Sequence, residues 1–180
     1  MKWFLMTILF TVSFSAMADR GSVKYKCIEG PIGISSEEQL VDFDRNGYWC
    51  VIGSLTVNMN QNIEQVWFKN LTLVTGPIYI VGRKPPADWS IKFSRLSKAG
   101  AIYINSNRRL VSVDLGSIAK VGDVEVISNG ELSTLQGAIG EAESVEISHN
   151  NSLCDEWIDP FADSTMDFVA TDNGSYAECE

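Results

Sequence analysis

The chain has 180 residues, and its 23 acidic residues outnumber its 14 lysines and arginines, giving a formal net charge of −9. A chain of this charge repels phosphate backbones, so we expect no nucleic acid among its partners.

The first residues have the pattern of an export signal. Lys2 supplies a positive charge, residues 3–14 form a mostly apolar run, and Ala16-Met-Ala18 has the small-x-small pattern that a signal peptidase accepts. The run is shorter than the roughly 20 residues of a membrane-spanning helix, which disfavours a retained anchor. We predict a signal peptide at residues 1–18, cleavage before Asp19, and secretion into an extracellular or periplasmic space. No comparable apolar run follows, so we expect no membrane span in the mature chain.

Four cysteines follow the predicted signal peptide, at Cys27, Cys50, Cys154 and Cys179. An even number in an exported chain favours two disulfides. The simplest of the three connectivities joins Cys27 to Cys50 and Cys154 to Cys179, which would staple each end of the domain. No Cys-x-x-Cys pair is present, so the cysteines do not indicate a metal site.

Between the cysteine pairs the chain repeats an apolar-x-apolar segment, usually just after a glycine. The copies start at Leu55, Ile78, Ile102, Val124 and Val145, so their spacings are 23, 24, 22 and 21 residues. Alternating apolar residues are typical of short strands with one buried face, and this period matches one coil of a solenoid. We therefore predict a mainly β fold built as a short parallel β-solenoid. Regular spacing disfavours a β-sandwich.

The last three copies extend the pattern with x-x-Asn-x-x-Leu. Their asparagines are Asn107, Asn129 and Asn150. We expect these amides to bond to the backbone of neighbouring coils as an internal ladder. A second apolar set should fill the remaining inner faces: Leu71, Leu73, Leu96, Leu115, Ile118, Leu135 and Ile139.

The chain resembles a receptor L-domain, the right-handed β-helix of insulin-receptor and EGF-receptor ectodomains that is related to leucine-rich repeats. The resemblance lies in Cys27-Ile-Glu-Gly30, in Cys50-Val-Ile-Gly-Ser-Leu-Thr-Val57, and in Ile147-Ser-His-Asn-Asn-Ser-Leu-Cys154. It implies disulfide-stapled caps, a short capping helix around Leu40 and Phe43, and a binding role without a particular ligand. We place the L-domain-like solenoid at residues 19–154 and a C-terminal cap at residues 155–180.

The middle, outward position of each repeated strand forms a column. It reads Thr56, Tyr79, Tyr103, Glu125 and Glu146, and a flanking column reads Asn58, Val81, Asn105, Ile127 and Ser148. Tyrosine-rich flat faces suit protein or sugar recognition, although tyrosine and threonine are also good strand residues. The candidate ligand-binding residues are Tyr79, Tyr103, Glu125, Glu146, Val81 and Ile127.

Catalysis has little support in the sequence. His149 is the single histidine, and no nucleophile-elbow, zinc-protease or phosphate-binding motif is present. The acids at residues 155–163 fit no EF-hand spacing. We therefore expect no enzyme activity, no cofactor and no metal. Asn-x-Ser/Thr tripeptides make Asn70 and Asn173 possible glycosylation sites, whereas Asn150 should face inward.

Three functions are compatible with these features. The leading hypothesis is a non-catalytic binding module for a protein or glycan. The first alternative is a structural or adhesive surface component, in which the solenoid is a spacer. The second is a carbohydrate-active enzyme on a β-helix, which would need carboxylates such as Glu125 and Glu146 in a groove.

Overall fold

The structure, a computed structural model, describes residues 26–59, 63–82, 87–165 and 167–174. The predicted signal peptide at residues 1–18 and Cys179 lie outside the described residues. Strands account for 51% and helices for 11%, so the fold is mainly β as predicted. Among the described residues, no helix has both the length and the apolar character needed to cross a bilayer.

The described ranges contain thirteen strands, two α-helices and one 3-10 helix at Asp155–Trp157. The helices are α1 (Glu37–Arg45) and α2 (Asp159–Ala162). The strands are β1 (Lys26–Glu29), β2 (Ile32–Ile34), β3 (Tyr48–Ile52), β4 (Leu55–Asn58), β5 (Gln65–Phe68), β6 (Leu73–Val81), β7 (Trp89–Phe93), β8 (Lys98–Asn105), β9 (Leu110–Ile118), β10 (Asp123–Ile127), β11 (Thr134–Ile139), β12 (Ser144–Ser148) and β13 (Phe168–Thr171).

The strands form two parallel sheets. The front sheet has the order β1-β3-β6-β8-β10-β12-β13, with β4 pairing both β2 and β6, and the back sheet has the order β11-β9-β7-β5. From β6 to β12 the chain alternates between the two sheets, and each strand pairs with the strand one repeat away. This arrangement is compatible with the predicted β-solenoid.

The repeated segments pair in the register that their spacing predicts. Leu55 lies opposite Ile78, Ile78 opposite Ile102, Ile102 opposite Val124, and Val124 opposite Val145. All five side chains are buried. Because side chains alternate along a strand, the residue after each of them points away from the core, which aligns the predicted outward column.

The core fills the space between the sheets. The rings of Phe68 and Phe93 stack on neighbouring strands of the back sheet, 5.0 Å apart, and Phe43 packs edge-on against Phe68. Of the predicted second apolar set, only Leu73 is not buried. It is half-buried, since the alternation of β6 turns its neighbour Val74 inward instead.

The N-terminal end has the predicted disulfide and helix. Cys27 is bonded to Cys50, which joins β1 to its neighbour β3. Ser36 caps α1 by accepting a hydrogen bond from the backbone N–H of Gln39 at 3.2 Å, while Gln39 Oε1 accepts one from the backbone of Ser35. These two hydrogen bonds fix the start of the helix, whose Leu40 and Phe43 are buried.

The C-terminal end differs from the predicted cap. Helical turns do follow Cys154, but Phe168–Thr171 forms a strand that pairs parallel to β12. The front sheet therefore continues for one more strand beyond residue 154, where we placed the start of the cap. The reason is visible in the residues: Phe168-x-Ala170-x-x-Asn173 repeats the strand-and-asparagine pattern 23 residues after Val145. The pairing of Cys154 with Cys179 stays a prediction.

An asparagine ladder runs through the turns that follow the front-sheet strands. The backbone N–H and side-chain amide of Asn107 both donate to Oδ1 of Asn129 at 3.0 Å, and Asn129 donates in the same way to Asn150. Asn150 donates in turn to Oδ1 of Asn173, whose own amide nitrogen donates to the carbonyl of Ile147. Asn173, which we named as a possible glycosylation site, thus also continues the ladder.

Candidate functional site

The structure brings the outward column together on one face of the front sheet. Thr56, Tyr79, Tyr103, Glu125 and Glu146 occupy consecutive positions of the same register on β4, β6, β8, β10 and β12. Neighbouring strands of a sheet lie about 4.8 Å apart, so successive side chains of the column are neighbours on this face. The sequence interpretation did not extend the column to β13.

The two tyrosines form a stacked pair at the centre of this face. Their ring centroids are 5.3 Å apart and the ring planes are inclined by 16°. Beside the rings lies an open cleft of about 260 Å³, lined by Tyr79, Ile80, Val81, Tyr103 and Asn105. This cleft is shallow and largely apolar.

The flanking candidates Val81 and Ile127 are half-buried. Both lie on interior strands of the front sheet, where side chains of the adjacent strands are close neighbours. Their remaining surface faces outward beside the tyrosines. They therefore contribute apolar area to the face without projecting from it.

The two carboxylates of the column are held by polar neighbours. Glu125 Oε2 accepts a hydrogen bond from Nδ2 of Asn105 at 2.9 Å, and Glu146 Oε1 accepts one from the hydroxyl of Ser148 at 3.1 Å. Among the described residues, neither glutamate forms an ion pair with Lys or Arg. Two like charges in neighbouring register positions therefore face solvent without a cation from this part of the chain.

Asn105 also lies at this site, although it was not among the candidate ligand-binding residues predicted from the sequence. Its Nδ2 is directed at Glu125, and its Oδ1 is buried without a hydrogen-bond partner among the described residues. A buried, unsatisfied carbonyl oxygen costs about 1–3 kcal/mol. Its position two residues after Tyr103, on the same side of β8, was the signal in the sequence.

The surroundings of Tyr103 change its acidity. Burial raises the pKa of its phenol, and the carboxylates of Asp123 and Glu125 together with Tyr79 raise this pKa further. The phenol is therefore neutral throughout the physiological pH range and can donate a hydrogen bond. Because folding raises the pKa of Tyr103, the neutral phenol is favoured in the folded chain. The contribution of Tyr103 to the free energy of unfolding is therefore present below pH of about 10 and is lost as the pH rises through the folded pKa.

A spectroscopic titration tests this environment. We expect Tyr103→Phe to remove a tyrosinate absorbance step whose midpoint lies above pH of about 10, the ordinary value for tyrosine. Glu125→Gln should move that step to lower pH, because a negative charge that opposes phenolate formation is removed. A Tyr103 step at or below the ordinary value, unmoved by Glu125→Gln, would contradict the described surroundings.

His149 has a structural explanation. It precedes a ladder asparagine with φ of 58°, and Ser106, Ser128 and Asp172 precede theirs with the same left-handed backbone. Nε2 of its exposed imidazole lies 3.3 Å from Oδ2 of Asp172. The described residues contain no group of three or more His, Cys, Asp or Glu side chains arranged to hold a metal ion.

The outward face combines aromatic rings, a cleft, an unsatisfied acceptor and two uncompensated charges within a few coils. Comparisons of the chain with protein-family models, curated proteins and solved structures find no match. The function is therefore inferred from the chemistry of this face and from the sequence pattern.

Proposed function

We propose that the chain is an exported binding module, a right-handed β-solenoid similar to a receptor L-domain, that recognises a protein or glycan through its front sheet. The observation that carries the proposal is the stacked pair of Tyr79 and Tyr103 beside an open cleft. Aromatic side chains with polar tips are the residues that recognition surfaces use most effectively, since they bury large areas with few rotatable bonds.

The scaffold supports this role because it holds the face rigidly. Each column residue is fixed by backbone pairing on both sides, and the buried asparagine ladder ties the adjacent turns together. A surface that is ordered before binding loses little conformational entropy when the ligand arrives. This favours recognition by a preformed face over folding around the ligand.

Export is supported by two independent features. The Cys27–Cys50 disulfide is stable in oxidising compartments, and residues 1–18 have the pattern of a signal peptide. Mass measurement of the protein recovered outside the cytoplasm checks this part of the proposal. We expect a chain that begins at Asp19, and an intact Met1 would contradict it.

Binding is favoured over catalysis by where the carboxylates lie. The cleft is lined by tyrosines, aliphatic residues and an amide, whereas Glu125 and Glu146 lie beyond its end on the next two strands. A glycosidase needs its two carboxyl groups on either side of the bond to be cleaved. The cleft is therefore better suited to binding a ligand group than to cleaving a glycosidic bond.

A binding screen tests the proposed function. The oxidised chain is applied to a glycan array and to a panel of extracellular proteins, and we expect selective ligands whose affinity falls at least about tenfold in Tyr79→Ala/Tyr103→Ala. The matched control is Trp67→Ala, because Trp67 on the back sheet is 39% exposed and Tyr79 is 40% exposed. If both variants lose affinity equally, or if neither variant alters binding, the ligand does not bind through this face.

A further inference from the structure

The repeated segments of the front sheet present acidic side chains and, among the described residues, no Lys or Arg, whereas Lys26 and Lys98 lie on other parts of that sheet. Asp123 and Glu125 lie on β10, and Glu146 lies on the adjacent strand β12. No Lys or Arg occurs at residues 55–58 or at the matching residues 78–81, 102–105, 124–127, 145–148 and 168–171. A complementary partner therefore has to bring positive charge to the face.

The ring of Tyr103 offers a flat surface beside these acids. Tyr79 stacks on one side of the ring, so the remaining side is the one toward Glu125 on β10. A planar cation lying between Tyr103 and Glu125 would contact the ring through its face and the carboxylate through its edge. A guanidinium has this shape, and it forms both stacking and bidentate carboxylate contacts.

Asn105 orients the carboxylate of this site. Its Nδ2 donates a hydrogen bond to Oε2 of Glu125 at 2.9 Å, which holds that carboxylate beside the tyrosine rings. The Oδ1 atom of Asn105 is itself buried, so it is not a ligand contact. The other oxygen of Glu125 can accept a hydrogen bond from a guanidinium, which carries five N–H donors.

The cleft adds a requirement for an apolar neighbour. Val81 and the tyrosine rings supply the apolar side chains of its walls, since the side chain of Ile80 is buried in the core, and they match an aliphatic or aromatic side chain better than a hydroxylated sugar ring. A polypeptide can carry a basic and an apolar side chain on neighbouring positions of one extended segment. A cationic glycan supplies the charge but not the apolar group.

We infer that the ligand of this face is an arginine-rich segment of a partner protein, bound with a guanidinium between Tyr103 and Glu125 and an apolar side chain in the cleft. The inference rests on the proposed function and specifies its ligand class. It assigns Glu125 and Glu146 to charge recognition, Tyr103 to stacking and Asn105 to holding the carboxylate of Glu125 in place.

The test uses fluorescein-labelled hexa-arginine as the probe and measures its anisotropy with the oxidised chain at a salt concentration of about 0.15 M. We expect saturable binding that weakens about tenfold in Glu125→Gln/Glu146→Gln. The matched control is Glu64→Gln/Glu156→Gln, which removes the same charge from exposed positions outside the outward column. Thermal unfolding of each variant verifies that it is folded, and single Glu125→Gln serves if the double variant is not.

The control variant decides between a site and general attraction. Less than a twofold change in Glu64→Gln/Glu156→Gln supports the inference, whereas equal weakening in both double variants shows attraction to an acidic protein and overturns it. Absence of binding overturns it as well. If a chitosan oligosaccharide binds with the predicted glutamate dependence while hexa-arginine does not bind, the inference is overturned, and the ligand class is a cationic glycan rather than a protein segment.

These failures are distinguishable from failure of the proposed function. If hexa-arginine does not bind but the screen finds ligands that depend on Tyr79 and Tyr103, the face is a binding surface for a different chemistry. If no ligand depends on these tyrosines, the proposed function fails together with the ligand class.

Discussion

Asn129→Ala should lower the free energy of unfolding by about 3 kcal/mol, one of the two largest effects that we expect from a single substitution. The side chain is completely buried, and its Oδ1 accepts hydrogen bonds from the backbone and the side chain of Asn107. Its Nδ2 also donates to the carbonyl of Ile104 and to Oδ1 of Asn150. Truncation leaves several buried polar groups without partners, and each of them keeps its desolvation cost.

Urea unfolding followed by circular dichroism measures this effect. The control is Asn151→Ala, because Asn151 is an exposed asparagine in the same kind of turn, and its loss should change the free energy of unfolding by less than about 0.5 kcal/mol. If the two variants have the same stability, the ladder does not hold the turns together.

Gly100→Ala should be destabilised by about 2–3 kcal/mol, because the coils approach too closely at this position to admit a methyl group. A Cβ on Gly100 would lie 2.8 Å from backbone atoms of both Gly76 and Thr75. Gly76 meets the backbone of Gly53 in the same way, and its N–H donates to the carbonyl of Gly53 at 2.9 Å. Backbone atoms cannot move aside without separating the paired strands, so the repeated glycine is required by stacking.

Gly130→Ala is the matched control for this prediction. A Cβ at Gly130 would meet nothing within 4 Å, and the residue is exposed in a turn. We expect its thermal midpoint to stay at or slightly above that of the wild type, since alanine restricts the unfolded chain. Equal destabilisation of Gly100→Ala and Gly130→Ala would argue against close stacking of the coils at the glycine positions.

The register of the front sheet could be predicted because spacing determines it. Apolar residues that start at Leu55, Ile78, Ile102, Val124 and Val145 can all face one core only if they pair with one another. β13 was missed because Ala170 is a weak apolar signal and the helical turns before it interrupt the repeat. β1 and β2 are too short to show an alternation.

The site could be predicted as a line of residues but not as a surface. The order from Thr56 to Glu146 follows from strand alternation alone. The stacking of Tyr79 on Tyr103 depends on side-chain rotamers, and the unsatisfied oxygen of Asn105 depends on which partner its amide nitrogen takes. Asn173 was named only as a possible glycosylation site because its tripeptide is visible in the sequence, whereas its place in the ladder requires the β13 register.

Hydroxyl-radical footprinting, with and without the strongest ligand from the screen, tests the central claim most directly. Tyr79 and Trp67 are almost equally exposed on opposite sheets, so both should be oxidised in the unbound chain. We predict that the ligand protects Tyr79 and Tyr103 and leaves Trp67 as reactive as before. Protection of Trp67 with unchanged oxidation of the two tyrosines would contradict binding through the front sheet.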